Sequence, residues 1–158
     1  MKSKRENIAE YILYLWQLED YLRAFPEQAM HNTELMEIAD MMHTEGVWQQ
    51  GHIQLAQNAL SEMEDLHNEL LETEAPYRAV IRHVEPSLNL LKAKTYRPAM
   101  SDVEACLTLL YQVMLLRLKN QPVSDATQTV VSDATQLLRF LSKTYNDNID
   151  SYDRPTEI

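Results

Sequence analysis

The sequence predicts an all-α, single-domain fold: a bundle of five or six helices around a buried helix at about residues 101–120. Three observations carry that expectation. Only two glycines occur in 158 residues, against a usual share of about 7%, and hairpin-rich sheets need glycine at their positive-φ turns. The helix formers Leu, Glu, Ala, Gln and Met dominate the composition. Apolar residues recur three and four apart over long stretches, and the 45% apolar share is enough to build a core rather than a disordered chain.

The first helix is expected from about Lys4 to Ala24, with Ile8, Ile12, Leu15, Trp16 and Leu22 in phase and Phe25-Pro26 ending it. Asn32 or Thr33 can cap a second helix to about Glu45, whose face is Leu35, Ile38, Ala39 and Met42. A third is expected from about Val47 to Glu72, carrying His52, Leu55, Ala56, Ala59, Met63, Leu66 and Leu70 on its stripe. Gly46 either ends the second helix as an αL residue or kinks one longer helix; the sequence leaves both open.

Pro76 suits the first turn of a fourth helix with Tyr77, Ile81, Val84, Leu88, Leu91 and Thr95 in phase through a kink at Pro86, and Pro98 closes it. Ser101 and Glu104 form a capping box that opens the fifth helix. That helix runs to about Asn120 and is apolar on nearly every side, which predicts burial. Pro122 precedes a sixth helix, roughly Ser124 to Tyr145, striped by Val130, Ala134, Leu137, Leu138, Leu141 and Tyr145. The bundle is therefore expected over residues 1–145, with 146–158 an acidic, flexible tail. The hexapeptide Val-Ser-Asp-Ala-Thr-Gln at 123–128 and 131–136 is a chance similarity within one helix, too short in period for a solenoid.

Several stretches resemble an uncharacterised family of small all-helical Bacteroidetes proteins, catalogued as a domain of unknown function. They are Lys4 to Asp20 (KRENIAEYILYLWQLED), Glu45 to Gln54 (EGVWQQGHIQ), Asp65-Leu66-His67, and Leu110-Tyr111 through Leu116-Arg117-Leu118. The resemblance covers about residues 4–145. It implies a bacterial, cytoplasmic, helical protein and carries over no catalytic or binding residue.

Charge and cysteine content narrow the function classes. The formal charge is −10, which repels phosphate backbones and anionic lipid surfaces, so neither nucleic acid nor membrane is an expected partner. The basic cluster Lys2, Lys4 and Arg5 is followed by Glu6-Asn7 rather than an apolar stretch, so it does not read as a secretory signal. The lone Cys106 excludes an internal disulfide and suits the cytoplasm.

Four constellations are candidates for chemistry. Glu64-x-x-His67, with its aspartate version Asp40-x-x-His43, has the spacing of carboxylate–histidine metal sites in helical bundles, where residues three apart share a face. Solvated helix faces are the favoured reading of these pairs, since such spacing arises easily by chance in a chain with 24 acids and five histidines. His52 lies between apolar neighbours with Trp48, Gly46 and Gly51 beside it, either a hydrogen-bonded core imidazole or the wall of a pocket. Glu19 and Arg117 are charges inside apolar patterns; each needs a partner, either the other or a local one. Met36, Met41, Met42 and Met63 fill a core or form an adaptable surface. Cys106 in an apolar helix is inert, and no nucleophile elbow or glycine-rich phosphate loop occurs. No cofactor is expected.

The balance favours a protein without catalysis: a protein–protein or self-association module, in the simplest form a homodimer, touching its partner through Tyr11, Tyr14, Trp16, Tyr21 and Phe25 of the first helix. The alternative is a small-molecule or metal-binding bundle using Asp40, His43, Glu64, His67 and Glu19.

Overall fold

The computed structural model describes residues 3–4, 6–94 and 100–153. Among these residues every regular element is a helix: α1 (Ile8–Ala24), the 3₁₀ helix η1 (Pro26–His31), α2 (Thr33–Thr44), α3 (Gln54–Thr73), α4 (Ala75–Lys94), α5 (Asp102–Leu118) and α6 (Asp125–Asp153). The all-α class is as the sequence predicts. None of these helices is long and apolar enough to cross a membrane. The chain forms two compact units, Met1–Glu62 and Met63–Ile158, with the boundary inside α3.

In unit one, α1 begins where Asn7 accepts the Glu10 amide at 3.0 Å. Its inward stripe of Ile8, Ile12, Leu15 and Leu22 is fully buried. Tyr11 and Trp16 are buried as well, and the Tyr14 hydroxyl donates to Glu34 at 2.6 Å. The aromatic face expected to meet a partner is thus mostly used inside the unit, because α1, η1 and α2 pack on one another. Only Tyr21 and Phe25 of that set stand 40% and 50% exposed. Asn32, not Thr33, caps α2, accepting the Leu35 amide, and the Phe25-Pro26 break winds into η1.

The end of α2 resolves the question at Gly46. Its φ is +71°, the Val47 amide donates to Met42 O at 2.9 Å, and the Gly46 amide to His43 O at 3.3 Å. These are the two bonds of a Schellman C-cap, so α2 terminates. The third helix does not begin at Val47 as expected but at Gln54, because Gly51 takes φ +94°, outside any right-handed helix. The apolar spacing of Val47, Trp48 and His52 belongs to a loop.

In unit two, α4, α5 and α6 pack against one another around Tyr77, Val84, Val103, Cys106, Leu107, Leu137 and Leu141. Pro86 lies inside α4, which continues through it as expected. Arg78 Nη1 donates to the last carbonyls of α3, Leu71 O at 3.1 Å and Glu72 O at 3.2 Å. Ser87 Oγ ties α4 to α6 through Asp133 at 2.6 Å. The Ser101 hydroxyl accepts the Glu104 amide and starts α5. The helix expected to be buried is α5, and its burial runs through Val103, Ala105, Cys106, Leu107 and Val113. Its last turn faces outward, with Leu116 39% and Leu118 65% exposed. A second Schellman cap ends it, with Asn120 at φ 54° and the Gln121 amide on Leu116 O at 2.9 Å. Helix α6 does not stop at Tyr145 but runs to Asp153: no proline or glycine interrupts residues 146–153, and Ile149, half-buried, extends the stripe of Leu138, Leu141 and Tyr145. Thr95 and Pro98, expected at the end of the fourth helix, and Lys2 and Arg5 lie outside the described residues.

Candidate functional site

The residues singled out around the two glycines do come together, as a loop over residues 45–53 held by α1. Glu19 is fully buried. As a carboxylate it accepts two hydrogen bonds, from the Ile53 amide to Oε2 at 2.6 Å and from His52 Nδ1 to Oε1 at 2.7 Å. An acceptor-only group places the imidazole proton on Nδ1, leaving Nε2 on a ring that is 44% exposed. One turn on, Arg23 faces the loop carbonyls: Nε donates to Trp48 O at 2.8 Å, and Nη2 to Val47 O at 2.8 Å and Gly51 O at 2.6 Å. Its Nη1 meets Asp20 at 3.1 Å. Spacing of four places Glu19 and Arg23 on one face of α1, so one helix face supplies an acceptor for the loop's amide and imidazole and donors for its carbonyls.

The rings complete the loop. His52 stacks on Trp16 with centroids 4.8 Å apart, and His43 on Trp48 at 4.2 Å and an interplanar angle of 5°. Gln57 Nε2 donates to His52 O at 2.7 Å, and Glu45 Oε1 accepts the Gln54 amide at 2.6 Å, which satisfies the first amide of α3. His52 is therefore a loop residue anchored at its backbone and Nδ1, not a member of a helical stripe. Glu19 finds its partners within its own unit, in His52 and Ile53, while Arg117 is exposed on α5 of unit two. The sequence signals Glu19 as a buried charge in need of a partner; for Arg23 its one sign in the sequence is its place one turn beyond Glu19.

The two metal-candidate pairs lie in different units, Asp40 and His43 in unit one and Glu64 and His67 in unit two. Asp40 and His43 are exposed on α2. On α3, Glu64 is half-buried while His67 is buried and meets the Tyr77 hydroxyl through Nδ1 at 2.5 Å. Among the described residues no group of three or more His, Cys, Asp and Glu side chains could hold a metal ion. The neighbourhood of His67 is instead a polar network inside unit two. His67 Nε2 lies 3.9 Å from Asp102 Oδ2, and Lys92 Nζ is 2.5 Å from Asp102 Oδ1. Burial lowers the His67 pKa below its ordinary 6.5, with the nearby Lys92 adding to the shift and Asp102 and Glu64 opposing it. Burial also pushes the Tyr77 hydroxyl up, and raises the Cys106 thiol to about 12, with Asp102 contributing to both. A thiol so raised is no nucleophile at neutral pH.

Unit two also carries an open apolar groove between α5 and α6. It encloses about 380 Å³ and is lined by Leu110, Val113, Met114, Leu118, Val131 and Thr135, with Arg117 the one charged side chain in its wall. The Thr135 hydroxyl is turned to its own helix, donating to Val131 O at 2.7 Å, so the groove presents mainly apolar atoms. It is legible in sequence only as an excess of leucine in the fifth helix.

Neither the curated proteins nor the solved structures contain a significant match to this chain. A family model described as "Domain of unknown function (DUF4924)" matches residues 1–32 and 26–151, which include α1, the loop over residues 45–53, the His67 network and the groove. The chain belongs to that family.

Proposed function

We propose that this protein is a non-enzymatic self-association module whose contact is the α5–α6 face of unit two. The observation that carries the reading is the groove together with Leu118, which is 65% exposed at its edge. A two-fold contact must be self-complementary, and this face offers both an apolar hollow and an apolar knob. It also carries both signs of charge, Arg117 and Lys119 at the end of α5 and Asp125 at the start of α6, all exposed. Burying exposed leucine and methionine side chains contributes about 25 cal/mol per Å². Among the described residues no cluster of groups suited to catalysis supports an enzyme reading: Cys106 is buried, and Glu19 and His67, both buried, are engaged in structural bonds. The cytoplasm is the proposed place of action, supported by the single free thiol.

Size-exclusion chromatography with light scattering tests the proposal. The chain should move from its 18.4 kDa monomer mass toward twice that value as concentration rises through tens of micromolar. Leu118→Glu should return it to monomer without loss of helical circular dichroism. A wild-type chain that stays monomeric, or a dimer indifferent to Leu118→Glu, overturns it.

A further inference from the structure

Unit one presents a different surface, with a different charge, to which the self-association reading assigns nothing. Four large apolar side chains are exposed on three consecutive elements that pack on one another: Tyr21 and Phe25 at the end of α1, Met30 in η1 at 79% exposure, and Met36 in the first turn of α2. The Tyr21 and Phe25 rings meet at 5.4 Å. The Gln28 amide bonds back to Phe25 O at 3.0 Å, so η1 turns directly over the end of α1. Scattered exposed apolar residues are ordinary, whereas aromatic and methionine side chains exposed together on three mutually packed elements are the kind of surface that accepts a partner.

The charge around them is of one sign. Between residues 20 and 45 the acids are Asp20, Glu27, Glu34, Glu37, Asp40 and Glu45, and the only Lys or Arg is Arg23. That guanidinium donates to three loop carbonyls and to Asp20, which leaves it turned to the loop rather than toward a visitor. Glu27, Glu37 and Asp40 are exposed. Glu37 follows Met36 directly, and Asp40 shares its helix face four residues on.

We propose that the α1–η1–α2 surface of unit one docks a basic amphipathic helix of a partner protein, its apolar face on Phe25, Met30, Tyr21 and Met36 and its Lys or Arg residues toward Glu27, Glu37 and Asp40. Methionine side chains adapt to irregular apolar faces, a helix laid on an apolar surface is anchored by residues three and four apart, and opposite charge speeds and orients the encounter. A second copy offering this same face is a poor occupant, since Glu27, Glu37 and Asp40 would meet their own like charges.

The probe is a fluorescein-labelled synthetic helix of leucine and lysine, with leucines on one face and lysines on the other, titrated with the full chain by fluorescence anisotropy. Two control peptides accompany it: the same composition reordered to lose helical period, and the amphipathic peptide with glutamate in place of lysine. Binding of the basic amphipathic peptide should exceed both controls by roughly tenfold or more, a difference of about 1.4 kcal/mol, and weaken with salt. Phe25→Ser with Met30→Ser should lower that affinity by a similar factor. Glu27→Gln with Glu37→Gln and Asp40→Asn should remove most of the salt dependence. All five positions are exposed, so an unchanged helical spectrum verifies the fold in each variant. Absence of binding, equal binding of the reordered peptide, or binding insensitive to either set of changes overturns the proposal.

Discussion

Glu19 shows how one side chain organises a region. A carboxylate removed from water is costly unless donors replace the lost hydration, and here both replacements come from one loop, the Ile53 amide and the His52 ring. Glu19→Ala leaves the Ile53 amide without its acceptor and opens a void, so a loss of about 3 kcal/mol is expected in denaturant unfolding. His52→Ala should cost less, about 1 kcal/mol, because the ring is partly exposed and the Ile53 bond survives. Equal losses in the two variants would mean that the imidazole, not the amide, is what the carboxylate holds. The need for a partner was legible at residue level, since a charge stood in an apolar pattern. The identity of that partner was not: His52 lies 33 residues away, and no local periodicity relates the two.

At the scale of elements, the expectations held where local chemistry acts alone and failed where a distant element intervened. Asn32, Ser101 and the proline breaks act within a few residues, so the starts of α2 and α5 and the continuation of α4 through Pro86 were readable. The start of α3 was not. Residues 47–53 have helical apolar spacing, yet their carbonyls are held by Arg23 and the Ile53 amide by Glu19, bonds that a helix would have needed for itself. Gly51 makes that path accessible. A Cβ added there would meet Val47 at 3.5 Å, an ordinary contact, while its φ of +94° disfavours any L side chain. Gly51→Ala is therefore expected to cost about 1–2 kcal/mol through backbone strain rather than collision, read as a lowered urea midpoint with unchanged m. Gly46→Ala, with open space around it, should cost about 1 kcal/mol. A neutral result at Gly51 would show that the loop relaxes out of its left-handed conformation.

For the whole molecule, the buried network around His67 ties stability to pH. An unfolded histidine takes up a proton near its ordinary pKa of about 6.5, whereas burial holds the folded value lower. Below that ordinary value the unfolded state therefore binds more protons than the folded one, and stability falls as pH drops. The melting temperature should decline between about pH 7 and pH 5.5, and His67→Gln should flatten the decline relative to wild type. Taking the difference between the two chains removes the contribution of the 24 acids, which both share. A slope identical in both would place the proton uptake elsewhere. The network joins α3, α4 and α5 through His67, Tyr77, Lys92 and Asp102, so it was invisible to any reading of one helix at a time. The sequence suggested a metal ligand at His67; the fold assigns its Nδ1 to a tyrosine.

What the sequence by itself determined is the class of the protein: every regular element among the described residues is a helix, with caps and breaks set by residues that act on their immediate neighbours. Near-absence of glycine, a 3.6-residue apolar period and side chains that bond backbone within one turn are local facts, and they set the structure wherever no distant element competes, as Arg23 and Glu19 do for residues 47–53. Which of those helical faces remained open was decided only by packing. Trp16 and Tyr11 went inside, Tyr21 and Phe25 stayed out, and α5 was buried at its start and exposed at its end. The physical reason is that an apolar side chain records only that it prefers to leave water. Whether another helix of the same chain covers it, or a partner must, depends on pairings between residues far apart in sequence.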